Sequence, residues 1–126
     1  MALKFYICET CGKIVEVVKE TAVPTICCGK EMKELVPCST DGAHEKHVPV
    51  ISVEECKVTV CIGEAAHPMM DAHYIEWVAI ETKQGMQKKQ LKPGDEPKAC
   101  FKLCCDDEVI AAYAYCNLHG LWKKEL

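Results

Sequence analysis

Apolar residues alternate with polar ones along much of this chain, and helix-like periods are scarce. Cys56, Val58, Val60 and Ile62 fall at every second position, with Lys57, Thr59 and Cys61 between them, which predicts a half-buried strand. His73, Ile75, Trp77 and Ala79 are expected to share one face of the next strand, and two more are predicted over 99–103 and 109–115. Gly85 and the run Lys92-Pro93-Gly94-Asp95 punctuate them as turns. Repeated short strands with turn signals between them predict an all-β chain built around an antiparallel sandwich.

The first 36 residues do not fit that scheme, because a domain below ~40 residues buries too little apolar surface to fold without a staple. The stretch from Val36 to Gly42, with Pro37, Ser39 and Thr40, reads as a linker. Two domains are therefore expected, over 1–36 and 37–126.

Composition narrows the setting. A net charge of -4 argues against nucleic acid or an anionic membrane as the main partner. The start of the chain lacks a basic region followed by a long apolar stretch, so no signal peptide is expected. No apolar run approaches the ~20 residues of a membrane span. Eleven cysteines, an odd number, fit thiolates reserved for metal in a reducing cytoplasm better than a disulfide framework.

Two groups of residues carry metal chemistry. Cys8 and Cys11 stand in a C-x2-C spacing with Gly12 after them, and the adjacent pair Cys27-Cys28 follows fifteen residues later. Four thiolates on one metal would supply the missing staple, since metal-binding free energy becomes folding free energy. A tetrathiolate suits zinc or iron equally. The second group is dispersed: Cys116 and His119 close the last apolar run, with His47, His67 and His73 upstream. Converged on one metal, these give four imidazoles and a thiolate. Structural zinc normally stops at four ligands, whereas five ligands with one open position suit iron.

These segments, in this order, resemble the superoxide reductases, and with the N-terminal cysteines the two-iron members of that group, the desulfoferrodoxins. The resemblance covers nearly the whole chain. It implies a desulforedoxin-like domain with iron on Cys8, Cys11, Cys27 and Cys28, then a seven-stranded immunoglobulin-like sandwich. In the second domain it implies an iron held by His47, His67, His73 and His119 in one plane, with Cys116 as the axial ligand. Neutral imidazoles leave the metal's charge high toward an anion, and an axial thiolate pushes electron density through the metal. The implied reaction is one-electron reduction of superoxide to hydrogen peroxide, with iron restored by an external donor such as a rubredoxin-like protein. A homodimer is implied as well.

Glu45 and Lys46 acquire roles only through the resemblance: the carboxylate as an occupant of the open iron position in the resting state, the ammonium as an attractor for superoxide. His44 lies outside the pattern and is expected at the surface. Cys38, Cys56, Cys61, Cys100, Cys104 and Cys105 match no ligand position. Pro49 and Pro68 fix φ close to ligands, and Trp77 and Trp122 are expected in the core or the wall of the site. Two other readings use the same residues: an electron carrier with a rubredoxin-like centre, and a zinc-dependent interaction module. Neither needs a five-ligand site with an open position, or Lys46.

Overall fold

The computed structural model describes residues 2–39 and 42–126. Thr40 and Asp41 of the expected linker lie outside the described residues. Two compact units are present, one ending at Val36 and the other beginning at Pro37.

The first unit holds five short strands: β1 (Phe5–Ile7), β2 (Ile14–Glu16), β3 (Ile26–Cys27), β4 (Lys30–Glu31) and β5 (Lys33–Glu34). They form one antiparallel sheet in the order β2-β1-β5 and a separate β3-β4 hairpin. Phe5, Cys8 and Met32 are its buried apolar residues. So small a core matches the argument for a staple.

In the second unit a short helix α1 (His44–His47) precedes seven strands: β6 (Pro49–Glu54), β7 (Lys57–Ile62), β8 (Ile75–Thr82), β9 (Gly85–Gln90), β10 (Lys98–Lys102), β11 (Val109–Cys116) and β12 (Gly120–Glu125). Three of them form the sheet β10-β7-β6 and four the sheet β12-β11-β8-β9. The seven strands are antiparallel throughout, as a sandwich requires. Val58, Val60 and Ile62 from one sheet meet Val78, Ile80, Ala112 and Ala114 from the other in the shared core.

One expectation is corrected. Ile75 and Trp77 do not share a face, because the β8–β11 register breaks there: Ile75 pairs with Cys116, but Trp77 pairs with Tyr115. Two steps on β8 against one on β11 is a bulge with Glu76 as the extra residue. It aims Ile75 and Cys116 into the core and turns Trp77 to stack on Tyr115 (centroids 5.7 Å, planes 9° apart). A strict two-residue alternation carries no sign of an inserted residue.

Candidate metal centres

The four N-terminal cysteines come together. Cys8 follows β1, and its carbonyl accepts the Gly12 N–H at 2.8 Å, which curls the chain so that Cys11 faces the same side. Cys27 ends β3, and Cys28 and Gly29, with φ of 53° and 75°, are the central residues of the tight turn into β4. A two-residue turn with both central φ positive matches the twist of its strands, and Gly29 meets the demand without strain. The four sulfurs lie within 4.8 Å of one another. The Cys11 backbone N–H, foremost, holds the Cys8 thiol down to about 6. The Cys11 and Cys8 thiols push Cys28 up to about 12, with Cys27 raised as well. Four thiols so close cannot all ionise unless a cation joins them, so the set fits a metal.

The second set is assembled from three separated segments at one end of the sandwich. His47 ends α1, His67 and His73 lie in the β7–β8 connection, and Cys116 and His119 bracket the turn from β11 to β12. The donor atoms of His47, His67, His73 and Cys116 lie within 4.8 Å of one another. His119 joins through Nδ1, 3.1 Å from His47 Nε2 and 3.8 Å from Cys116 Sγ. Around the ring of imidazoles, successive centroids are 4.6 Å (His47–His67), 4.7 Å (His67–His73), 5.1 Å (His73–His119) and 4.7 Å (His119–His47) apart. The His47–His73 diagonal is 6.4 Å. Neighbouring rings stand 67° to 79° apart and the diagonal pair only 32°. Four near-equal sides with one longer diagonal describe a near-square, and the sulfur of the wholly buried Cys116 lies within 4.8 Å of the His47, His67 and His73 donor atoms.

The ring nitrogens show what the square is for. His47 Nδ1 and His67 Nδ1 each face a backbone carbonyl at 2.7 Å, of Ala43 and Pro68. An N–H donated there fixes the tautomer and leaves Nε2 as a lone-pair donor. Nε2 of His67 and of His73 is buried without a hydrogen-bond partner among the described residues. Buried polar atoms are normally satisfied, so a bound metal is the partner these nitrogens fit. Burial holds His67 down to about 4 and, with neighbouring histidines and Lys46 adding to it, lowers His47 and His73; neutral imidazole is the metal-binding form. Burial likewise pushes the Cys116 thiol up, and the amides of Leu118 and His119 act against it.

Trp122, fully buried, forms one wall by stacking on His47, and Gly63 lets the chain pass close behind Lys46. Lys46 and Glu45 are exposed on α1, and the Glu45 carboxylate is not among the converging donors. His44 is exposed with its ring edge against Trp122, 5.1 Å between centroids. None of Cys38, Cys56, Cys61, Cys100, Cys104 and Cys105 joins either set of donors. Trp122 stands in the wall of the site, one of the two places expected of it, whereas Gly63 and Asn117, which lies between two ligands in C-N-x-H, were not singled out by sequence reasoning.

The desulfoferrodoxin family model matches residues 39–125, and the model of the desulfoferrodoxin N-terminal domain matches 2–39. The chain belongs to the desulfoferrodoxin family. It is 49% identical over 121 residues to a desulfoferrodoxin homolog of Archaeoglobus fulgidus, covering 96% of this chain and 95% of that one. It is 35% identical over 105 residues to a superoxide reductase of Pyrococcus horikoshii, covering 70% of this chain and 91% of the other. The crystal structure of the superoxide reductase from Treponema pallidum superposes with a TM-score of 0.84 at 34% identity, covering 99% of this chain and all of that one. With the two donor sets in place, the cofactors are two irons per chain, one in the tetrathiolate set and one in the histidine–cysteine set.

Proposed function

We propose that the chain is a superoxide reductase acting at the histidine–cysteine centre. The observation that carries this reading is the convergence of four imidazoles and a buried cysteine, with the Nε2 atoms of His67 and His73 buried and unpartnered among the described residues. The family and its superoxide reductase relatives support it. Held by His47, His67, His73, His119 and Cys116, iron supplies the single electron by cycling between ferrous and ferric.

The residues of the chain do the rest. Neutral histidines leave the site cationic, which attracts an anion. Cys116 sits at full burial, where a thiolate's donation to the metal is undiminished by water. Lys46, the exposed cation of α1, steers superoxide toward the open side and orders water that delivers protons. Superoxide, one electron and two protons balance as hydrogen peroxide. Glu45, beside it, is the carboxylate able to occupy the open position at rest.

Residues 1–36 are read as the tetrathiolate iron domain and 37–126 as the reductase domain. The first iron braces its unit and can pass electrons. A rubredoxin-like one-electron carrier is the proposed external donor. A homodimer is proposed, on the resemblance to the desulfoferrodoxins alone. The cytoplasm is the proposed compartment; no helix among the described residues is long and apolar enough to cross a membrane.

The test is stoichiometry. Reduced protein mixed with pulse-generated superoxide should yield one peroxide per superoxide consumed, with the iron oxidised and no oxygen released. One peroxide per two superoxides, with oxygen evolved, would mean dismutation and overturn the reading.

A further inference from the structure

We propose that Asn117 is a positioning residue of the histidine–cysteine centre, locking the Cys116–His119 turn to the loop that carries His73. The proposal rests on reading these residues as the iron ligands.

The ligands are anchored in different ways. The rings of His47 and His67 are each tied to a carbonyl in their own segment. His119 is held by its backbone, whose carbonyl accepts the Trp122 indole N–H at 3.1 Å. The His73 ring makes no hydrogen bond among the described residues. Its backbone exchanges two bonds with Met70, at 2.9 and 3.0 Å, which shape the loop locally but do not fix its place relative to the other ligands.

Asn117 supplies that fix. Its Oδ1 accepts the Tyr74 N–H at 3.0 Å, its Nδ2 donates to the Ala72 carbonyl at 3.1 Å, and its own backbone N–H donates to the Tyr74 carbonyl at 3.2 Å. All three bonds land on the two residues that flank His73. Both ends of the side-chain amide are used, one as acceptor and one as donor, which a carboxylate, an acceptor only at neutral pH, does not reproduce. The bonds also begin where the β8–β11 ladder breaks, next to the Ile75–Cys116 pair. There the side-chain carbonyl receives an N–H that a regular ladder would give to a backbone carbonyl. Asn117, the neighbour of Cys116, thus sets the place of that cysteine relative to His73, whose ring makes no hydrogen bond among the described residues.

Outer-shell partners of metal ligands typically change metal affinity by about 10- to 100-fold when removed. The experiment uses the full chain carrying both irons, with Asn117→Ala and Asn117→Asp. Three readouts are taken: release of the second iron to a chelator, the sulfur-to-iron charge-transfer band of its oxidised form, and hydrogen exchange at the Tyr74 amide. Asn117→Ala should release the second iron about tenfold faster or more, shift or broaden the band, and expose the Tyr74 amide, with the absorption of the first centre unchanged. Asn117→Asp keeps the acceptor and should fall between Asn117→Ala and the native chain in all three. Native release and an unshifted band in Asn117→Ala would overturn the proposal. If Asn117→Ala does not fold, native behaviour of Asn117→Asp in both iron readouts overturns it instead. None of these depends on turnover, so a native protein that binds iron yet fails to reduce superoxide would sink the functional reading and leave this one standing.

Discussion

Trp122 lies nearly flat against His47, ring centroids 4.9 Å apart and planes 25° apart, while its indole N–H holds the His119 carbonyl. One buried side chain therefore touches two ligand segments, one on α1 and one after β11. Trp122→Ala should destabilise the second unit by about 3–5 kcal/mol, the usual cost of emptying a buried aromatic site. Trp122→Phe keeps the stack and loses one hydrogen bond, worth about 1 kcal/mol. Denaturant unfolding with iron content measured at each step separates the two. Equal losses in both variants would mean that the stack contributes nothing.

Lys46 is an exposed cation of α1, and its charge reaches His47 and His73, adding to the lowering of both. Lys46→Ala should slow the bimolecular reaction with superoxide by roughly tenfold or more, because focused charge raises association rates by ~10 to 10³. The ionic-strength dependence should flatten, with iron content unchanged. Lys46→Arg should recover much of the rate. A Lys46→Ala rate equal to native at low salt would leave this lysine no role in steering.

Cys116→Ser places a harder oxygen where the buried thiolate stood. Superoxide reduction should be lost even in protein that has taken up its iron, since the push of the sulfur goes with it. Single-turnover rates on variant protein with verified iron content decide the matter, and full retention of rate would sink the role given to the sulfur.

Gly63 sits behind α1 at a φ of 82°, and a Cβ there would come within 2.5 Å of the carbonyl oxygens of Lys46 and Ala65. Left-handed backbone alone costs a substituted residue about 1–2 kcal/mol, and the collision with backbone adds to it. Gly63→Ala should therefore displace the segment bearing Lys46 and His47 and lower iron occupancy of the second site. The absorption of the tetrathiolate centre serves as the internal standard, and unchanged occupancy would show that the segment can give way.

Acid should act through the histidines. Burial lowers His67 from 6.5 to about 4, and lowers His47 and His73 in the same direction. As pH falls below 6.5 the unfolded chain takes up protons that the folded metal-free chain refuses, so stability drops until about 4, where folded His67 also protonates. Above that window neither state binds the proton and stability should be flat on this account. Thermal unfolding of metal-free protein across the range tests the sign; stability rising as pH falls from 6.5 toward 4 would contradict it.

Much was legible in the chain itself. Alternation marked β7, β10 and β11, because a strand with one buried face must repeat every second residue. The shortness of the stretch before Pro37 pointed to a stapled unit, because so few residues cannot bury a sufficient core, and C-x2-C with a vicinal pair named the staple. Residue types alone limited the second site to imidazoles and a thiolate, since few other side chains bind iron through nitrogen and sulfur.

What the tertiary structure decided was position. Alternation implied one face for Ile75 and Trp77, but the bulge at Glu76 put Ile75 in the core cluster with Cys116 and Trp77 outside that cluster with Tyr115. A bulge answers to the partner strand, which no local pattern reports. The anchors of the site belong to the same class. Asn117 bonds to residues 43 and 45 positions away, and Trp122 reaches back to His47. Ligand identity is a matter of side-chain chemistry and is written locally. The square that those ligands form is set by contacts between distant segments, and it exists only once the two sheets have packed.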